Sequence, residues 1–257
     1  MHNTKYKIQD TNLLTPKIIY EDDSILVLDK PSGWITNSAS TTVGQPVVED
    51  WITENFQFSI FEFQLLRHGI VHRLDKETSG LLLVAKEKQA FENLQSQFKE
   101  RKVKKIYTAL AHGNIKPEEG SISVTVGRLP WRRDRFGIVS GGRESETNYK
   151  VIGSYELQTK KPHLKSYSLV EFYPQTGRTH QIRIHAKHIG HPLVSDEFYA
   201  GRKTARDDRK WCPRLFLHAS GITFYHPKSS KKISFISEFP SDLLSPLSSL
   251  EKIGQTL

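Results

Sequence analysis

Apolar residues fall in short runs along this chain, separated by polar turns. Ile25-Leu26-Val27-Leu28 and Leu81-Leu82-Leu83-Val84-Ala85 are continuous and of strand length, the pattern of buried strands. Lys17 to Tyr20 predicts a strand before them, with Glu21 to Ser24 as the turn and Pro31-Ser32-Gly33 closing the unit. Further strands are predicted at Ile106 to Ala111, Ile122 to Val126, Thr147 to Ile152, Tyr167 to Phe172 and Ile222 to Tyr225. The polar connector Lys228 to Lys231 leads from the last of these into Ile233 to Ile236, as in a hairpin.

Helical spacing is confined to a few segments. Val47, Val48, Trp51, Ile52 and Phe56 share one face, as do Phe91, Leu94 and Phe98 between Glu87 and Arg101. A third helix is predicted from Thr179 to about Ile189, with Ile182, Ala186 and Ile189 as its apolar stripe. Thr176 or Thr179 would cap its start and Gly190 its end. Leu243 to Ile253 predicts a short terminal helix. Strands with few helices imply an α+β fold, a mixed and mainly antiparallel sheet with flanking helices and basic loops. Residues 1–16 read as a polar extension and 17–257 as one domain.

With 257 residues, 37% hydrophobic and 25% charged, the composition is that of a globular protein able to bury a core. No apolar run approaches the roughly 20 residues of a membrane helix, and the start lacks a secretory signal pattern, so a cytoplasmic protein is expected. The one cysteine, Cys212, excludes an internal disulfide and reads as a small buried residue. No HExxH, GxGxxG or P-loop occurs, so neither a catalytic metal nor a nucleotide cofactor is expected. The net charge of +9 favours a polyanionic partner. Its basic residues cluster at Arg101 to Lys105, Arg132 to Arg135, Arg202 to Lys210 and Lys228 to Lys232, all read as loops or element ends. They are either solvated loops or the rim of a groove for a phosphate backbone, with Trp131 as a stacking surface.

Two segments carry candidate chemistry. His72-Arg73-Leu74-Asp75 follows an apolar stretch and precedes Lys-Glu-Thr-Ser-Gly, which puts the Asp75 carboxylate at a strand-to-loop junction. Local composition alone favours reading Asp75 as a turn-capping Asx residue. Thr176-Gly177-Arg178-Thr179-His180-Gln181-Ile182-Arg183-Ile184-His185 opens a helix with an unusual density of polar side chains. Arg183 flanks the apolar stripe, where a guanidinium needs a carboxylate partner.

Together the segments resemble the pseudouridine synthases of the large-ribosomal-subunit and tRNA type, from about Ile18 to Pro240. Ile19 to Gly33 resembles the opening motif of that family, His72 to Lys86 its catalytic motif, and Lys105 to Ala109 its tyrosine motif. Thr176 to His185 with Gly190 to Leu193 and Asp196 resembles its arginine motif, and Leu217 to Ala219 with Phe224 to Pro227 its closing strands. The motif order is far more specific than any single motif.

The resemblance implies an RNA pseudouridine synthase acting on rRNA or tRNA. Asp75 would be the nucleophile, Tyr107 the base that takes the C5 proton, and Arg183 the partner of Asp75. Arg73, Thr78, Arg178 and Gln181 would bind the substrate nucleotide, and Lys104, Lys105, Arg132 and Arg133 the RNA. No cofactor or metal is needed, and a monomer is expected. Many relatives carry an N-terminal S4-type module, for which residues 1–16 are too short, so RNA selection would rest on the catalytic domain. The opening motif departs after Gly33, where Trp34 to Ser38 replaces the usual Val-His-Pro-like ending. A non-catalytic RNA-binding or ribosome-assembly factor is the alternative, and the presence of Asp75, Tyr107 and Arg183 together speaks against it. A glycosidase would need a second acid at a defined separation, and Glu77 has no evident partner role.

Overall fold

The computed structural model describes residues 14–56, 66–157 and 165–253, with the backbone alone at 133 and 134. Most of the polar extension, residues 1–13, and the side chain of Arg133 lie outside the described residues. By its contacts the chain divides into two compact units, Met1–Lys102 with Phe224–Ile233, and Val103–Thr223 with Ser234–Leu257.

In the first unit, β1 (Lys17–Glu21), β2 (Ile25–Lys30) and β3 (Ser79–Ala85) form an antiparallel set in the order β1-β2-β3. The two continuous apolar runs are the inner strands: Ile25 to Leu28 and Leu81 to Ala85 are almost wholly buried. Among the described residues two helices belong here, α1 (Val48–Asn55) and α2 (Lys88–Lys99). Their periodic residues Val48, Ile52, Phe91 and Leu94 are buried as the spacing requires. Asp22 makes the β1–β2 turn by accepting the backbone N–H groups of Ser24 and Ile25. The segment at Phe224–Ile233 is fastened by side chains. Gln97 of α2 bonds both the N–H and the carbonyl of Tyr225. His226 takes the N–H groups of Lys228 and Ser229 on Nδ1 and gives its Nε2 proton to Asp22.

The second unit is built on β4 (Lys104–His112), β5 (Glu119–Leu129), β6 (Arg132–Ile138), β7 (Arg143–Leu157), β8 (Lys165–Pro174) and β9 (Leu217–Tyr225). Their order is β9-β4-β8-β7-β5-β6, with β10 (Lys232–Ile236) on β9 and β11 (Glu251–Ile253) on β7. Alternation along β4 supplies both faces. Ala109 and Ala111 pack with Phe172, Ile182, Ala186 and Leu217, while Leu110 packs with Tyr167, Phe216 and Leu243. The helices are α3 (Gln181–His188), α4 (Arg202–Asp208) and α5 (Ser241–Ser248). Cys212 is fully buried, and burial pushes its thiol up to about 11.

Several expectations change. Arg132 to Arg135 lies in strand β6 and Arg202 to Asp208 in helix α4, not in loops, because pairing with β5 and local helix formation satisfy the backbone whatever charge the side chains carry. The terminal helix stops at Ser248, and Glu251–Ile253 pairs with β7 as a strand. The cap of α3 is neither threonine: His180 holds the N-cap position in a left-handed conformation, φ 56°. At the other end Gly190, φ 86°, does what was expected. The N–H groups of Gly190 and His191 bond the carbonyls of Lys187 and Ala186, closing a Schellman cap.

Two histidines of this unit, His185 and His218, are fully buried. Ser145 donates to the Val124 carbonyl, so it accepts from His185 Nε2, and His218 Nε2 donates to the Ser237 carbonyl. Burial disfavours the charged form of both rings and holds each down at about 4, so both are neutral at pH 7. In the unfolded chain they titrate near the usual 6.5. As pH falls the unfolded state takes up these protons first, so stability is full above about pH 6.5 and is lost progressively down to about 4. The expected loss is up to about 3 kcal/mol per ring. Urea denaturation at pH 7 and at pH 4.5 measures it, and midpoints that coincide would contradict the buried neutral assignment.

Candidate active site

Asp75 sits at the end of an extended stretch that a short 3₁₀ turn at Arg67–Gly69 and a bridge from Ile70 to Val84 lead into. The turn after it closes main chain to main chain, with the Thr78 N–H donating to the Asp75 carbonyl. Asp75 is partly buried, Arg73 is exposed, and Leu74 and Thr78 between and beyond them are buried. The loop is therefore plugged into the core on both sides of the carboxylate.

The loop is also clamped by the segment that follows β2. Lys30 is fully buried, and its ammonium donates to the carbonyls of Pro31, Trp34 and Lys76 at 3.0, 2.8 and 3.3 Å. Gly33, at φ 89°, gives its N–H to the same Lys76 carbonyl, and the Ser32 hydroxyl reaches the Glu77 carbonyl. Thr36, also buried, both donates to the Leu74 carbonyl at 2.8 Å and accepts from the Leu74 N–H at 3.1 Å. One hydroxyl thus does for Leu74 what a neighbouring strand would do. The departure after Gly33 places Thr36 where it locks the residue next to Asp75. His72 completes the frame: its Nε2 accepts the Leu83 N–H, and its ring lies 5.1 Å from Phe98. A carboxylate on a loop held this way keeps a fixed direction.

The second unit carries the other predicted residues. Tyr107 lies in β4, opposite Phe172 of β8, and packs on the core cluster below α3. The β4–β9 register shifts between Ile106 and Thr108, so a bulge in β9 sits beside Tyr107. Such irregularities re-aim side chains. Lys105, two residues along, points to the same face as Tyr107. Burial pushes its ammonium down to about 8, whereas Lys104 is exposed.

Arg183 is 3% exposed and forms a bidentate pair with the fully buried Asp196, both contacts at 2.8 Å. Asp196 Oδ1 also accepts the N–H groups of Phe198 and Tyr199. The guanidinium lies 5.3 and 5.1 Å from the rings of those two residues. The buried charge is met by charge, hydrogen bonds and aromatic faces together.

Gln181 is equally committed. Its oxygen accepts from the Thr176 hydroxyl and the Arg178 N–H, and its nitrogen donates to Glu146 and Thr147. Four bonds exhaust the amide, and they shape the loop that carries Arg178. Arg132 is exposed at the start of β6, beside Trp131, which is 75% exposed. Lys30 and Thr36 were not singled out from the sequence. A lysine ending an apolar strand before Pro-Ser-Gly was the available signal for the first, and nothing local marked the second.

Two stability changes are expected. Thr36→Val leaves the Leu74 N–H and carbonyl unpaired in the interior and should cost roughly 2–4 kcal/mol, with Thr36→Ser close to wild type. Asp196→Ala takes the bidentate carboxylate away from the buried Arg183 guanidinium and should cost about 3–5 kcal/mol. Both are read from urea denaturation midpoints.

A family model described as RNA pseudouridylate synthase matches residues 24–188. Ribosomal large subunit pseudouridine synthase D of Neisseria meningitidis serogroup B is 37% identical over 240 residues, 91% of this chain and 60% of that protein. An uncharacterized RNA pseudouridine synthase of Bacillus subtilis is 34% identical over 237 residues, 92% of this chain and 73% of that one. The chain thus spans about 60% of the length of the Neisseria relative. Among solved structures, human RNA pseudouridylate synthase domain containing 1 matches with a TM-score of 0.66 and 27% identity, covering 98% of this chain and 93% of that one. Human RNA pseudouridylate synthase domain containing 4, at 0.65 and 21%, shares the fold.

Proposed function

This chain belongs to the RNA pseudouridylate synthase family, and on that premise we propose that it isomerises uridine to pseudouridine in RNA, with Asp75 as the nucleophile. The observation that carries the proposal is the clamp: Lys30, Gly33, Ser32 and Thr36 all spend their polar groups on the backbone of residues 74–77. So much bonding around one loop is understandable if the direction of one carboxylate matters.

The reaction breaks the bond from C1′ to N1, turns the uracil and rejoins C1′ to C5, and the C5 proton leaves as N1 gains one. Nothing is oxidised or reduced, so no cofactor has to be supplied. A carboxylate assists by attacking C1′, attacking C6 or taking a ribose proton, and in each case it must be ionised. Tyr107 is the proposed acceptor of the C5 proton and Arg183 the proposed charge partner of Asp75. Arg73 and Arg178 are proposed to hold the flanking phosphates, with Thr78 and Gln181 shaping the loops beside them. The target base must leave its stack, at roughly a few kcal/mol, before it can react. The relatives named for the ribosomal large subunit favour 23S rRNA over tRNA as the substrate. A cytoplasmic monomer is the proposed acting form.

The test is tritium release from RNA carrying 5-³H-uridine. Asp75→Asn should lower release on the order of 10³-fold or more while RNA binding persists. Release at the wild-type rate from the Asn variant would remove Asp75 from the nucleophile role.

A further inference from the structure

Two basic runs that look separate in the sequence converge in the second unit. Arg135 of β6 and Arg202, Arg206 and Arg209 of α4 and its end surround one cavity of about 400 Å³, completed by Glu197 and Phe198. Arg202, Arg206 and Arg209 recur at helical spacing and so share one face. Among the described residues Glu197 is the one carboxylate in the lining, and it is engaged with Arg209 at 3.2 Å. The other acids of α4 are spent elsewhere: Asp207 pairs with Lys210, and Asp208 is buried against His112 and the Ser195 N–H. The cavity therefore keeps a strong excess of positive charge.

Its walls are held in place before any ligand arrives. The Tyr199 hydroxyl donates to the Phe136 carbonyl of β6 and accepts from His180 Nδ1. Asp196 fixes the N–H groups of Phe198 and Tyr199. Together these tie the β5–β6 hairpin to the loop that carries Phe198. Phe198 is 37% exposed, and the Arg135 guanidinium lies 5.1 Å from its ring centre. The Arg135 Nε is buried with no hydrogen-bond partner among the described residues, a donor that an anion would satisfy. Like charges gathered on a rigid frame repel one another, and an incoming anion relieves that cost.

We propose that this cavity binds one nucleotide of the RNA other than the reacting uridine, its phosphodiester among Arg135, Arg202 and Arg206 and its base against Phe198. Guanidinium forks match phosphate oxygens, and an exposed ring beside them offers a base a stacking face. The arginines and Phe198 that line it supply binding groups for a nucleotide. The cavity size lies in the range of small-molecule pockets and suits a nucleotide unit. The assignment of RNA as the ligand rests on the proposed function. Binding is measured without reference to catalysis, so the two readings fail separately.

Arg202 and Arg206 are exposed, so Arg202→Gln with Arg206→Gln is expected to fold as wild type does. The experiment measures affinity for bulk 23S rRNA fragments against salt concentration. The double variant should bind about 10-fold to 100-fold more weakly and lower the slope of log K against log salt by about 1–2. Phe198→Leu should weaken binding with the slope unchanged, since stacking releases no counterion. Lys203→Gln removes a charge from the same helix outside the cavity lining and should change affinity by less than about 3-fold. Equal effects of Lys203→Gln and Arg202→Gln would reduce the cavity to general charge and overturn the proposal, as would an unchanged slope in the double variant. Poly-L-glutamate displaced by the same variants to the same degree would overturn RNA as the ligand. Wild-type protein that releases no tritium while these binding losses hold would sink the catalytic reading and leave the cavity standing.

Discussion

The ammonium of Lys30 is buried at the end of a strand, and a charge in that position is tolerated only if the surrounding chain turns its oxygens inward. That requirement shapes everything near it. The chain wraps from Pro31 to Trp34 so that two of its carbonyls reach Nζ, and the loop after Asp75 supplies a third from Lys76. Gly33 adopts φ 89° to let the wrap close, a conformation that costs glycine least. Once the wrap exists, Ser32 and Thr36 fall opposite Glu77 and Leu74 and complete the clamp. The fixed setting of the Asp75 loop follows from solvating one cation.

The second unit repeats the device with a different cation. Arg183 is too deep in α3 to reach water, so Asp196 pairs with it and at the same time caps the turn bearing Phe198 and Tyr199. Tyr199 then reaches β6 and His180, and the arginine-lined cavity takes its shape. In both units a buried positive charge organises backbone that regular secondary structure does not reach. Both are costly to break, since removing either partner leaves an unmet charge or dipole in the interior.

The pattern of apolar positions was enough for the buried strands and the long helices. Continuous runs at Ile25 and Leu81 became strands buried throughout, and the Phe91-Leu94 spacing became α2. Gly190 announced its helix end correctly because a left-handed residue is needed there and few others accept it. The charged segments of β6 and α4 read as loops or element ends, since runs of charge hide whatever periodicity a short hairpin strand or a seven-residue helix would show. Thr176 and Thr179 were equally plausible caps for α3. The outcome was decided by Gln181, whose four bonds draw the loop into a different path.

The sequence by itself determined the family, the α+β character and the residues with candidate chemistry, because ordered motifs and apolar periodicity are local properties of the chain. It could not separate an Asx-turn reading of Asp75 from a catalytic one. Only the tertiary structure decided how that loop is held, by Thr36 and Lys30 from a segment some forty residues earlier. It also decided that Arg135 meets Arg202 and Arg206, since charges with no apolar pattern reveal their neighbours only when the backbone has been placed.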